Sequence, residues 1–177
     1  MRFVDLLKTT VMLSAGAATM LAVVTVIGAT HDRDDTLVLI ATGWWIAGAI
    51  IGAALGRRAQ VTAPIGRLLA DAKQATMLPE HRPGAVIINR LWPLLASTVA
   101  AGAIGFIFAQ VPAVACGFAI IWSLSWRRQD SAVLAVEERD GVTYYVERTS
   151  PIRPIQLVRT PGLRREVPTL TSVNGTR

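Results

Sequence analysis

The chain has 177 residues, 52% of them hydrophobic and 17% charged, and its mean hydropathy is +0.44. The hydrophobic fraction and hydropathy exceed those of an ordinary soluble domain and the charged fraction falls below it, which points to a membrane protein, where a net charge of +6 marks a cytoplasmic side rather than a nucleic-acid partner. The single cysteine, Cys116, excludes a disulfide framework and a cysteine-based zinc cage.

Four apolar stretches follow one another. Residues 9–30, 36–56, 91–109 and 111–126 are 22, 21, 19 and 16 residues long and contain no charge. A spanning helix takes about 20 apolar residues. The first three stretches meet that length, and Trp122 and Trp126 can seat the shorter fourth in the headgroup region. Arg2 and Lys8 ahead of the first stretch would also suit a signal peptide. Its apolar run, however, exceeds the roughly 7–15 residues of such a segment, so a mature helix is expected. Gln110 and Pro112 divide the third stretch from the fourth. A single bent helix over 91–126 would be about 54 Å long, well beyond the ~30 Å hydrocarbon core, so a tight hairpin is expected there.

Charge sets the expected direction. The turn after the first helix holds His31, Asp32, Arg33, Asp34 and Asp35. The 57–90 loop carries Arg57, Arg58, Arg67, Lys73, Arg82 and Arg90, and residues 127–177 carry nine arginines against six acids. With both termini in the cytoplasm, Arg33 is the only one of 18 basic residues left outside. The abundance of Ala, Gly, Val and Arg associates the chain with a bacterial inner membrane.

Within the 57–90 loop, Thr62 and Pro64 resemble a helix start. Ile65, Leu68, Leu69, Ala72 and Ala75 then recur at helical spacing. That pattern suits a short amphipathic helix on the membrane surface, or equally one packed on the tail. In the tail, strand-like runs at 132–138 and 142–148 flank Arg139, Asp140 and Gly141. An Asp-Gly pair in that setting signals a hairpin, here over 132–148, pairing Val136 with Tyr145 and Glu137 with Tyr144. Residues 155–160 can add a strand, and residues from Leu163 onward look disordered in isolation. A hairpin of this size needs support from the loop, the lipid surface or another protein.

The four stretches hold no Asp, Glu, Lys, Arg or His, which argues against a proton relay, a voltage sensor or imidazole-ligated pigment. His31, Asp32, Asp34 and Asp35 cluster in the outer turn, but an acidic inter-helix turn explains them without a metal. His81 reads as a solvated loop residue, and Cys116 as a small buried hydrophobe. No nucleophile–base, phosphate-loop or metalloprotease motif is present.

Small residues are more informative. Gly48, Gly52 and Gly56 repeat every four positions on the second helix. Ser14, Ala18 and Ala22 do so on the first, Ser97, Ala101, Gly105 and Ala109 on the third, and Ala113 and Gly117 on the fourth. Such stripes let helices approach closely, either inside one bundle or against another subunit. Trp44 and Trp45 lie well inside the second stretch, about 100° apart around the helix. They are candidates for bundle packing or for contact with lipid, a pigment, a quinone or another subunit. Trp92 and Trp126 fall at the cytoplasmic interface together with Arg57, Arg58, Arg67, Lys73, Arg90, Arg127 and Arg128.

The expected fold is an all-α integral membrane protein. It is a four-transmembrane-helix bundle over 1–126, with a short amphipathic cytoplasmic helix, followed by a basic tail over 127–177 with a small C-terminal cytoplasmic β-hairpin. The expected role is non-catalytic, without cofactor or metal: a subunit of a larger inner-membrane assembly of secretion, conjugation or electron-transfer type. Its partners would be membrane lipids and other membrane subunits, not nucleic acid. The alternatives are a small homo-oligomeric channel or carrier and a lipid-binding accessory of a membrane enzyme.

Overall fold

The computed structural model describes residues 1–32, 34–57, 60–74, 83–147 and 155–161. The elements in chain order are α1 (Phe3–Asp32), α2 (Asp35–Leu55), α3 (Ala63–Ala70), β1 (Lys73–Gln74), α4 (Pro83–Ile104), α5 (Gln110–Trp126), α6 (Gln129–Asp140), β2 (Val142–Val146) and β3 (Leu157–Pro161). Three helices, over Phe3–His31, Asp35–Leu55 and Gly84–Ile104, are long and apolar enough to cross a membrane. The outward faces of all three carry large apolar side chains such as Met12, Leu39, Ile50, Ile88 and Val99. These features fit a membrane-embedded protein.

The helical bundle centres on α5, a helix of 17 residues packed mainly against α1 and α2, with α4 alongside. Its buried residues are small: Pro112, Ala113, Cys116, Gly117, Ala119 and Ser123. Hydroxyls on α1 are returned to the helix itself. Thr10, Ser14 and Thr25 donate to the carbonyls of Leu6, Thr10 and Leu21, each at 2.8 Å. This lets Ser14 and Thr25 be fully buried without an orphaned donor. The expected hairpin between the third and fourth stretches is present but earlier than expected: the turn covers 105–109, part of the expected third helix, and Gln110 and Pro112 already belong to α5.

At one end the chain builds a second core, the end body. Phe3, Val4, Leu6 and Leu7 from the start of α1 meet Ile65, Leu69 and Ala72, Val86 of α4, Val133 of α6, Tyr144 and Val146 of β2, and Leu157 of β3. The strands form one sheet in the order β1–β3–β2, with β3 parallel to β1 and antiparallel to β2. The N-terminus extends this sheet past β2: Arg2 bridges Tyr145, and the Val146 N–H donates to the Met1 carbonyl at 3.1 Å. The core therefore draws on residues from both sides of the expected boundary at 126, and α1 runs unbroken from one core into the other. At 30 residues it is about 45 Å long.

The expected hairpin over 132–148 is not formed. Residues 129–140 are helix α6, and β2 pairs with β3 instead. Gln129, Ala132, Val133 and Glu137 are its buried residues, a spacing of three to four that belongs to a helix face. The Asp-Gly signal ends that helix: Gly141 adopts φ 65°, and its N–H donates to the Glu137 carbonyl. A left-handed residue after the last helical turn is as natural a site for glycine as a hairpin turn is. The strand foreseen at 155–160 is present as β3 and fills the place the hairpin partner would have taken.

The amphipathic segment of the loop is helix α3, shorter than its apolar pattern. Thr62 holds the N-cap position and Pro64 the first turn, while Ala72 lies beyond the helix and Ala75 outside the described residues. Ile65 and Leu69 are buried in the end-body core. The helix is thus packed on protein through the face that would have met lipid.

Candidate functional site

Two arrangements bring the candidate residues together: the α2–α5 seam and the polar ties of the end body. On the seam, Gly48, Gly52 and Gly56 all face α5 of the same chain. A Cβ at Gly48 would lie 3.1 Å from the Gly117 carbonyl oxygen, and one at Gly52 would lie 3.0 Å from Cα of Ile121 and 2.9 Å from Cβ of Leu124. At Gly56 it would collide with the Leu124 carbonyl oxygen. Backbone meets backbone along the stripe, so dispersion contact is made along its whole length.

Trp44 and Trp45 grip the same helix from above. The Trp44 indole N–H donates to the Val114 carbonyl at 3.1 Å, and that of Trp45 to the Ala113 carbonyl at 2.9 Å. Trp44 also meets Phe118 edge-on at 5.5 Å. Its indole occupies the space where a side chain on Gly117 would stand. Two indole donors in apolar surroundings need acceptors, and adjacent carbonyls of α5 provide them.

On the opposite side of α5, Cys116 donates to the Ala18 carbonyl at 3.2 Å and Ser123 contacts the Val11 carbonyl at 3.5 Å. The third stripe is divided. A Cβ at Gly105 would lie 2.8 Å from Cγ of Pro112 and 3.0 Å from Cγ1 of Val24, and Ala109 lies against Gly28. Ala101 packs against the core around Ala18, Leu21 and Cys116. Ser97 is exposed and donates to its own helix at the Leu94 carbonyl.

In the end body, Glu137 is the junction. Its carboxylate is 5% exposed, accepts from Arg2 at 2.7 Å and accepts the Tyr144 backbone N–H at 2.9 Å. One acid thereby ties the N-terminus, α6 and β2 together. The hydrogen bond to Glu137 holds the Arg2 guanidinium above its ordinary pKa, against the opposing effect of burial. Buried Gln129 does the same for the approach to α3: it accepts from the Thr62 N–H and donates to the Gln60 carbonyl, both at 3.2 Å. Arg128 donates to the Arg57 carbonyl at 2.9 Å, just past the end of α2. A cation there satisfies a terminal carbonyl and complements the helix dipole.

Arg57, Arg67, Lys73 and Arg127 are exposed around this end, and Arg58 lies outside the described residues. Arg90 is half-buried within α4, and Trp92 is exposed two residues on. Trp126 stacks on Trp122 at 5.3 Å and packs against the end-body core. In the turn between α1 and α2, Asp34 caps α2 by accepting the Leu37 N–H at 3.0 Å. Among the described residues no group of three or more His, Cys, Asp or Glu side chains is placed to hold a metal.

Glu137 and Gln129 were not singled out in the sequence. Each is a polar residue on the buried face of α6, a placement that follows only once the segment is read as helix. No protein-family model matches the chain, and no curated protein or solved structure is significantly similar to it.

Proposed function

We propose that the chain is a non-catalytic, multi-pass subunit of a bacterial inner-membrane assembly. In this reading α1, α2, α4 and α5 cross the membrane, both termini are cytoplasmic, and the end body is a basic cytoplasmic platform. The observation that carries it is the continuity of α1, whose first residues Phe3, Val4, Leu6 and Leu7 are core of the end body while its later turns pack on α5. α5 passes into α6 across Arg127 and Arg128 alone. Force or position at the platform is therefore referred directly to the bundle.

The distribution of basic residues supports the direction, with Arg33 alone on the outer side. The bundle interior supports a packing role. Its buried polar side chains, Ser14, Thr25, Cys116 and Ser123, are engaged by backbone carbonyls rather than lining a polar path. A channel or carrier needs such a path.

Two measurements test the reading. Reporter fusions in the turn at Asp34 and after Arg177 should report opposite sides, and the same side would overturn the topology. Tagged full chain purified from native membrane in mild detergent should bring defined companion chains with it. A chain that migrates alone, at monomer size, would overturn the assembly.

A further inference from the structure

The end body carries a cleft of about 320 Å³, partly open to solvent, between α3, α6 and the sheet, with Arg139 and Asp140 at its exposed rim; the volume is within the size range of small-ligand sites. Val61, Leu69 and Val136 give it apolar walls. Arg159 stands on β3, the central strand, directly opposite Tyr144 of β2, and both residues line the cavity. The Nε atom of Arg159 is buried without a hydrogen-bond partner. A buried donor left unmade costs far more than a satisfied one gains. The acid on the rim does not supply the missing acceptor. The oxygens of Asp140 accept from Arg139, at 2.8 and 3.2 Å, and neither bonds the Arg159 Nε.

We propose that this cavity binds a small oxyanion-bearing molecule, a carboxylate or phosphate held at Arg159 with a short apolar body against Val61, Leu69 and Val136. A planar guanidinium matches either oxyanion in a charge-assisted pair. The apolar walls require more than a bare ion. The inference stands apart from the assembly and topology readings, since it uses only this cleft of the end body.

Gly66 offers a direct way to close the site. It lines the cavity, and an added Cβ there would meet only Cγ1 of Val61, at 4.0 Å. Gly66→Leu therefore fills the space while favouring helix α3. The full chain in phosphatidylcholine nanodiscs is titrated with octanoate, octanol, inorganic phosphate and a water-soluble short-chain phosphatidate. Octanoate or the phosphatidate should bind saturably and more tightly than phosphate, with octanol failing to bind. A preference for octanoate identifies a free carboxylate as the source, and a preference for the phosphatidate identifies a lipid headgroup. Arg159→Gln should weaken binding roughly tenfold to a hundredfold, and Gly66→Leu should abolish it at an unfolding midpoint no lower than that of the wild-type chain. If Arg159→Gln does not fold, Gly66→Leu decides alone. Equal binding of octanol and octanoate, unchanged binding in either folded variant, or no binding of any probe to the wild-type chain would overturn the proposal.

Discussion

In the helical bundle neighbouring backbones touch, whereas in the end body large side chains hold them apart. Gly48, Gly52 and Gly56 bring α2 onto the Gly117–Leu124 backbone of α5. The end body instead buries Ile65, Val133, Val146, Leu157 and Tyr144. The difference follows from the surroundings each suits. Between apolar helices in lipid there is little hydrophobic drive, so cohesion comes from close dispersion contact and from indole, thiol and hydroxyl bonds to backbone carbonyls. A body in water is held by the apolar area it removes from solvent. A glycine's role depends on its face: Gly48, Gly52 and Gly56 are a contact surface, whereas Gly43 on the same helix and Gly66 on α3 have room for a side chain.

The comparison can be broken by exchanging these roles. The largest effect is expected from Ile65→Ala, which removes a side chain 2% exposed from the end-body core. It should cost roughly 2–5 kcal/mol, seen as a lowered unfolding midpoint of the end body, with the α2–α5 contact unaffected in a cross-linking assay. Gly52→Ile comes next. The branch must displace Cα of Ile121 and Cβ of Leu124, at an expected cost of about 1–3 kcal/mol. Thermal unfolding in detergent measures it, and wild-type stability would show that the stripe is not a contact surface.

Glu137→Ala tests the ties rather than the packing. It frees Arg2 and leaves the Tyr144 N–H without its acceptor. Because Arg2 is partly exposed, the expected loss is about 1–3 kcal/mol. Glu137→Gln, which can still accept from Tyr144, should recover part of it. Amide exchange at Tyr144 and Val146 should quicken in the alanine variant and not at α5. Gly66→Ala should act in the opposite direction and stabilise α3 by roughly 0.5–1 kcal/mol, since the site is open and glycine is a poor helix former.

The smallest change is expected in alkali. Burial raises the Tyr144 hydroxyl above its ordinary pKa of 10.0, with Asp140 adding to the effect. The folded state then keeps the proton that the unfolded chain releases. This contribution is complete below about pH 10 and is lost as pH rises through the folded value. Tyr144→Phe should remove that part of the pH dependence in an unfolding titration, and an identical alkaline profile would count against burial as the cause.

The apolar stretches were legible as helices because length and absence of charge report directly on segments that need no aqueous face; three of the helices are long and apolar enough to cross a membrane, and the third runs Pro83–Ile104 rather than 91–109. The small-residue stripes were legible for a similar reason, since glycine repeated every fourth position has one geometric consequence. What the stripe faces was not, because periodicity places residues on a side of a helix without saying which helix lies there. The tail was misread at Asp140-Gly141, where one dipeptide serves both a hairpin turn and a left-handed helix cap. The buried face of α6 decides between them, and burial there depends on Phe3 to Leu7, more than 120 residues earlier in the chain.

By itself, then, the amino-acid order determined that the chain has apolar helices, which faces permit close approach and where the positive charge collects. These are local properties of spacing and composition. The tertiary structure alone decided that the glycine stripe meets α5, that Trp44 and Trp45 donate to the carbonyls of Val114 and Ala113, and that β2 pairs with β3. It also decided that Glu137 joins the N-terminus to the sheet and that Arg159 borders a cavity. Each of these depends on groups distant in sequence competing for one position, and the competition is settled by which arrangement buries apolar surface while leaving the fewest donors and acceptors unpaired.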